Sequence, residues 1–101
     1  GLIFAWEPRG TTWDVETISE LCRDLDLRHV VDPFKTRTAT PDRIYYRLHG
    51  IGGWRYEYEQ DELEELAAMM PTDGESFVFF NNRLMFDDAV RFRSILAAGG
   101  R

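Results

Sequence analysis

Residues 2–32 read LIFAWEPRGTTWDVETISELCRDLDLRHVVD, and this stretch decides the fold class. Residues 2–7 form a short, nearly continuous apolar run, which predicts a parallel strand buried on both faces. Residues 11–14 fit a helix start signal, and apolar side chains then recur at helical spacing through Leu27. Residues 29–32 supply a second brief strand before a proline. The stretch therefore predicts a strand-helix-strand unit.

The rest of the chain continues this alternation. Residues 35–42 are polar, contain Pro41 and show no apolar period, so they predict a loop in place of a crossover helix. The elements predicted after it are a strand, a helix, a strand and a helix, over residues 44–49, 61–70, 77–82 and 87–96. This order predicts an α/β fold with a parallel sheet and right-handed crossovers. A closed (β/α)8 barrel of the TIM type takes about 250 residues, so the chain corresponds to half of one.

Composition and charge exclude several classes of protein. The 101 residues carry 12 Lys and Arg against 18 Asp and Glu, and this acidic balance argues against a nucleic-acid partner. The single cysteine, Cys22, precludes an internal disulfide and favours a reducing, cytoplasmic location. No apolar stretch approaches the roughly 20 residues that cross a bilayer, and no basic leader is visible, so no membrane association is expected. We expect residues 1–101 to form one domain.

Polar side chains follow every predicted strand at its carboxyl end, where ligands of parallel α/β folds bind. In chain order they are Glu7, Arg9, Asp32, Arg47, His49, Asn81 and Asn82. The two-residue period of a strand places Arg47 and His49 on one face of the third strand, and we expect Glu7 to share a pocket with them. An arginine inside a strand must pair with a carboxylate or bind an anion. Glu7 and Asp32 are its candidate partners.

The residues alone leave two interpretations of this polar set open. It could form a ligand site, or it could be a satisfied network and ion pair that holds the strands together. No metal is expected, because Glu7, Asp32 and His49 lack a paired ligand spacing such as His-x-x-x-His. No cofactor is expected either, since the glycines of residues 50–53 are not followed by Gly-Lys-Ser or Gly-Lys-Thr.

Residues 50–58 read Gly-Ile-Gly-Gly-Trp-Arg-Tyr-Glu-Tyr and join a glycine-rich start to aromatic side chains. This composition is suited to a lid in which Trp54 and Tyr56 cover a ligand. A packed surface loop, whose aromatic rings cover the end of the sheet, explains the same composition.

Four groups of residues resemble, in order and spacing, the second half of the YecE-like family, also known as domain of unknown function seventy-two. They are Trp6-Glu7-Pro8-Arg9-Gly10, Val31-Asp32-Pro33-Phe34, Tyr46-Arg47-Leu48-His49-Gly50, and Phe80-Asn81-Asn82 with Asp88-Ala89. The resemblance implies a (β/α)8 barrel with these groups at the carboxyl ends of the later strands, and it implies no particular activity. The amino-terminal half of the family is absent, so the chain could be an expressed fragment, a proteolytic remnant or a natural half.

Two functions are expected from these observations. In the first, a polar pocket binds a small anionic or sugar-like, polyhydroxylated ligand and hydrolyses or isomerises it. Glu7 and His49 are then the acid-base candidates. Arg9 and Arg47 bind the anion, while the two asparagines orient its polar groups. In the second, the chain is a noncatalytic module that pairs through exposed strand edges with a second copy of itself, as a homodimer, or with a missing barrel half.

Overall fold

The computed structural model describes residues 2–10 and 12–99, which form one four-stranded sheet and three helices. The elements in chain order are β1 (Phe4–Trp6), α1 (Val15–Asp24), β2 (Leu27–Val31), β3 (Tyr45–Leu48), α2 (Gln60–Ala68), β4 (Phe77–Phe80) and α3 (Met85–Ala98). The strands lie side by side in chain order, and all three neighbouring pairs are parallel. The predicted α/β class, the order of elements and the parallel sheet are confirmed.

Helix α1 begins about one turn after the start signal at Thr11, a residue that lies outside the described ones. Its N-cap is Asp14, whose Oδ1 accepts the backbone N–H of Thr17 at 2.7 Å. The hydrogen bonds from Thr17 lower the pKa of the Asp14 carboxyl. The helix ends before position 27 because Asp26 adopts a φ of 53°, which turns the chain directly into β2.

The hydrophobic core lies between one face of the sheet and the helices. Strand residues that alternate along β2, β3 and β4 pack there against α2 and α3; they are Val31, Tyr46, Leu48 and Phe80 on the sheet, with Leu63, Leu66 and Phe92 on the helices. Helix α1 packs against β2. Right-handed crossovers between sequential parallel strands place the helices on one face of the sheet. Within the described residues, none of them is long and apolar enough to cross a membrane.

The opposite face of the sheet, which we call the open face, carries apolar side chains that meet solvent. Its apolar members alternate with the core residues along the strands; they are Ile3, Ala5, Tyr45, Phe77 and Phe79. Arg28 and Arg47 share this face, and the guanidinium of Arg28 lies 5.1 Å from the centroid of the Phe77 ring. The ring centroid of Tyr45 lies 5.6 Å from that of Phe77 and 5.5 Å from that of Phe79. Ile3 and Phe79 are 48% and 47% exposed. An apolar cluster of this kind is unusual on an uncovered surface.

Strand β1 is largely exposed, so the prediction that it is buried on both faces is wrong. Phe4, in its first position, is 57% exposed. The physical reason is its place in the sheet, because β1 is an edge strand whose only neighbour among the described strands is β2. An apolar run predicts a strand, whereas burial depends on what lies beside it.

A loop joins β2 to β3, as the polar composition of residues 35–42 predicts. Thr40 fastens it to both strands, since its Oγ1 accepts the N–H of His29 at 3.0 Å and donates to the carbonyl of Arg43 at 3.1 Å. The N–H of Ala39 also donates to Nδ1 of His29 at 2.8 Å. The helix face of β3 at Tyr46 is consequently bordered by this loop instead of a crossover helix.

Candidate functional site

A cavity of about 330 Å³, which we call the polar cleft, lies at the carboxyl ends of β1, β2 and β3. Glu7, Asp32 and His49, three of the residues predicted for a site, line it together. Each reaches it from a different strand, because parallel strands in chain order end at the same edge of the sheet. The polar cleft therefore combines two carboxylates with an imidazole.

The carboxylate of Glu7 lies between two guanidinium groups. Nη1 of Arg47 donates to its Oε1 at 2.5 Å, and Nη2 of Arg9 lies 4.0 Å from the same oxygen. The first contact joins the end of β1 to β3 across β2. A guanidinium has five N–H donors, and this is the one hydrogen bond that the Arg47 side chain makes within residues 2–10 and 12–99. Its other donors are available to solvent or to an anion.

We predict that the Glu7–Arg47 pair contributes little to stability. The two side chains are 28% and 33% exposed, and partly exposed ion pairs contribute on the order of 1 kcal/mol. A double-mutant cycle with Glu7→Gln and Arg47→Gln, followed by urea unfolding, should give a coupling energy of about 0.5 to 1 kcal/mol. A value above about 3 kcal/mol, the range of buried pairs, would show instead that the pair mainly holds the sheet together.

Asp32 positions the beginning of the loop after β3. Its Oδ2 accepts the backbone N–H of His49 at 3.0 Å, and its Oδ1 accepts that of Phe34 at 3.1 Å. Asp32 is buried, and both of its carboxylate oxygens accept backbone hydrogen bonds. The imidazole of His49 has no hydrogen-bond partner among the residues that the structure describes. Both of its ring nitrogens are therefore available for hydrogen bonds to a ligand in the polar cleft.

The other predicted site residues do not line the polar cleft. Asn82 is completely buried, and its Nδ2 donates to the carbonyl of Tyr56 at 2.8 Å and to Oδ2 of Asp88 at 2.7 Å. Trp54 is exposed on the loop after β3, and Asn81 lies half-buried directly after β4. The structure thus separates Glu7, Asp32 and His49, which line the cleft, from Asn82, which bonds to α3.

Asp88 is the centre of the second group. It is completely buried, and its Oδ2 accepts the N–H of Tyr58 at 3.2 Å as well as the amide of Asn82. Nη1 of Arg91 lies 3.3 Å from its Oδ1 and donates to the carbonyl of Tyr58 at 2.6 Å. The hydroxyl of Tyr58 in turn accepts the N–H of Gly50 at 2.9 Å, and burial raises the pKa of this phenol. The network fastens the glycine-rich loop to α3.

The side chain of Tyr56 is bonded to α2. Its hydroxyl donates to both carboxylate oxygens of Glu62, at 2.7 and 2.6 Å, and Oε1 of Glu62 also accepts the N–H of Glu59 at the helix N-terminus. The bond to Glu62 raises the pKa of Tyr56 to about 12. Tyr56 therefore acts as a clamp between the loop and α2 in this conformation.

We predict that Glu62→Gln lowers the pKa of Tyr56 from about 12 towards its ordinary value of 10.0, because the carboxylate acceptor and its charge are lost. The folded chain holds this proton more tightly than the unfolded chain. Its contribution to stability is accordingly present below pH 10 and disappears as the pH rises towards 12. Titration of the tyrosine Cζ resonances by NMR measures the shift, with Glu64→Gln as the control. An unchanged Tyr56 titration in Glu62→Gln would refute this explanation.

The polar cleft also contains residues that the sequence analysis did not select. Trp13 lies on its wall, and Lys35 and Thr36 lie at its edge. The indole of Trp13 packs edge-on against Trp6, with ring centroids 5.0 Å apart and planes at 86°. These residues lie in the loops that follow β1 and β2. A search of those loops, extended beyond the strand ends, would have found them.

Two further observations limit the chemistry available elsewhere. The only cysteine, Cys22, is a buried residue of α1, and its burial raises the pKa of the thiol. Within residues 2–10 and 12–99, no group of three or more His, Cys, Asp or Glu side chains is arranged to hold a metal ion.

Searches of protein-family models, curated proteins and solved structures find no match to this chain.

Proposed function

We propose that this chain is the carboxyl-terminal half of a YecE-like (β/α)8 barrel whose polar cleft binds a small anionic or polyhydroxylated ligand. The observation that carries the proposal is the meeting of Glu7, Asp32 and His49 in one cavity at the ends of three neighbouring parallel strands. The Glu7 carboxylate and the His49 imidazole suit the hydroxyl groups of a sugar, and the indole of Trp13 offers its ring a flat apolar wall. The sequential strand order, with all helices on one face, supports the barrel half.

Five side chains in the cleft or bonded beside it at Glu7 have a role in this proposal. Arg47 and Arg9 bind the anionic group, since Arg47 keeps unused N–H donors and Arg9 is largely exposed. Glu7 and His49 are the acid-base pair of a hydrolysis or isomerisation, because a carboxylate and an imidazole with unbonded ring nitrogens meet in one cavity. Asp32 is a positioning residue that holds the backbone of His49.

Thermal unfolding in the presence of glucose 6-phosphate, glucose or inorganic phosphate tests the proposal. A ligand at 100 times its Kd stabilises the folded state by about 2.7 kcal/mol, which raises the Tm of a domain of this size by roughly 10 °C or more. Glucose 6-phosphate should stabilise the wild type most. His49→Gln and Glu7→Gln should remove the effect. The ligand-free Tm should fall by no more than about 8 °C, since loss of the partly exposed Glu7–Arg47 pair costs about 0.5 to 1 kcal/mol.

The matched control is Arg93→Gln, which removes an exposed arginine of α3 that does not line the polar cleft. It should leave the response to glucose 6-phosphate intact. Either of two results would reject the proposal: no probe stabilises the wild type, or stabilisation persists undiminished in both cleft variants.

The open face favours a second candidate function, a noncatalytic half-barrel that binds another four-stranded unit. Ile3, Phe79 and their apolar neighbours lie where the interior of a closed barrel would be filled by side chains from both halves. The edge strands β1 and β4 each have one neighbour in the described sheet. The occupant would be a second copy of the chain or the missing barrel half, and pairing at both edges would remove the exposed strand edges.

Light scattering over a concentration series tests self-association. In this candidate the wild type is a dimer, and Phe79→Glu shifts it to a monomer, because the interface loses the apolar ring of Phe79 and gains a charge that must be desolvated there. Phe86→Glu on α3 is the control, since Phe86 is exposed on the helical side of the molecule. A wild-type chain that stays monomeric at every concentration would exclude the second copy as the occupant.

A further inference from the structure

A second cavity, of about 530 Å³, lies beside the loop that replaces a crossover helix between β2 and β3. We call it the loop pocket. The residues that matter for its chemistry are Phe34, Lys35, Arg37, Thr38, Tyr46 and Met69. Its volume falls in the range of small-molecule sites, roughly 300 to 1,000 Å³, and such sites combine apolar walls with a few polar groups in the same way.

Tyr46 supplies a polar group that the fold does not use. Its side chain is only 4% exposed and lines the loop pocket, yet its hydroxyl has no hydrogen-bond partner among residues 2–10 and 12–99. The hydroxyl oxygen keeps contact with solvent, since the one fully buried side-chain oxygen or nitrogen without a partner among the described residues is Oδ1 of Asn82. Burial raises the pKa of Tyr46, so the group is a neutral donor. A ligand in the loop pocket would replace solvent as the acceptor of this hydroxyl.

Lys35 and Arg37 give the loop pocket a positive edge. Both side chains are exposed, and neither forms an ion pair with a carboxylate of the described residues. This is notable in a chain whose formal net charge is -6. An unpaired lysine and arginine on one short loop, with threonine hydroxyls beside them, match the charge and the acceptors of a phosphate group.

The walls of the loop pocket are held in place without a ligand. The N–H groups of Lys35 and Thr36 both donate to the carbonyl of Asp32 at 2.9 Å. The ring of Phe34 packs against Tyr58, with centroids 5.7 Å apart. A preformed pocket binds its ligand without the cost of ordering a loop.

From these observations we infer that the loop pocket binds a small heteroaromatic monophosphate. The ring lies against Phe34 and Met69, the hydroxyl of Tyr46 donates to a ring acceptor, and the phosphate lies between Lys35 and Arg37. This site is separate from the polar cleft, although Lys35 and Thr36 border both cavities. Arg37 and Tyr46 line the loop pocket but not the polar cleft, so they are the residues to vary.

The test is an NMR titration of the ¹⁵N-labelled full chain with adenosine 5′-monophosphate, compared with adenosine and with inorganic phosphate. Saturable shifts are expected at the amides of Arg37 and Tyr46, with a Kd at least about 10-fold below that of either comparison compound, because the monophosphate engages both halves of the site. Arg37→Gln should weaken binding about 5- to 10-fold, as expected for a charge-assisted hydrogen bond. Tyr46→Phe, which keeps the ring in place, should weaken it about 3-fold or more.

Two variants serve as controls, His49→Gln in the polar cleft and Arg93→Gln on α3. Neither should change the Kd of adenosine 5′-monophosphate. The inference is overturned if binding does not saturate at millimolar concentration, or if Arg37→Gln and Tyr46→Phe leave the Kd unchanged. Loss of binding in His49→Gln alone would also overturn it, because the probe would then occupy the polar cleft.

Discussion

Replacing Asp88 with alanine should lower the free energy of unfolding by about 3 to 5 kcal/mol, the largest loss expected from any single polar residue of this chain. The reason is what the substitution leaves behind. The amide of Asn82, the N–H of Tyr58 and the guanidinium of Arg91 all lose an acceptor. The first two donors are buried and cannot recover the bond from bulk water.

Asp88→Asn separates the charge from the shape of this side chain. It retains one carbonyl oxygen as an acceptor. Its NH2 group, however, is a donor that would face the other donors of the network, and the loss of charge weakens the contact with Arg91. We expect it to lose about half as much stability as the alanine variant. Urea unfolding monitored by circular dichroism measures both variants.

Asp87→Ala is the matched control, because Asp87 precedes Asp88 in the first turn of α3 and is exposed. Its loss should stay within about 0.5 kcal/mol. Comparable losses in the two alanine variants would mean that the first turn of α3 matters and the buried network does not.

Gly50→Ala is the second substitution with a large expected effect. Gly50 has a φ of 96°, which residues with a side chain rarely adopt. A Cβ at this position would lie 2.0 Å from the carbonyl oxygen of Gly53. It would also lie 2.9 Å from Cβ of Tyr56. Neither atom is the end of a flexible side chain. The turn must therefore open, which disrupts the hydrogen bond from the Gly50 N–H to Tyr58.

We expect Gly50→Ala to cost at least about 3 kcal/mol in urea unfolding. Gly74→Ala isolates the effect of backbone conformation, since Gly74 has a φ of 81° and no atom within 4 Å of the added Cβ. That variant should cost only about 1 kcal/mol. Equal losses at the two positions would show that the clash with Gly53 is relieved by small movements of the loop.

The sequence predicts the backbone architecture well because local patterns determine it. The apolar run before Glu7 and the helical spacing up to Leu27 predict a strand-helix-strand unit, and the structure has one. The polar stretch around Pro41 predicts a loop where a regular series would have a helix. The burial of β1 could not be predicted in the same way, because it depends on which strands lie beside it.

The candidate site was predictable where strand geometry alone decides contacts. The two-residue period of β3 places Arg47 towards the face that Glu7 shares, and the two side chains meet. The direction of the Asn82 side chain was not predictable. Its place after β4 suggests a ligand role, whereas its amide bonds to Asp88 on α3. A polar residue at a strand end can turn towards the cleft or towards a helix, and sequence polarity does not distinguish these directions.

The exposed edge position of β1 also determines how the polar cleft behaves as the protein fluctuates. A strand of three residues with one neighbour detaches at a lower free energy than the central strands, so its amides should exchange with solvent deuterium first. Glu7 follows this strand directly, whereas Asp32 and His49 follow better protected ones. Each local opening of β1 removes one carboxylate from the cavity. A ligand that contacts Glu7 would slow deuterium uptake in β1, and the protection would report its occupancy.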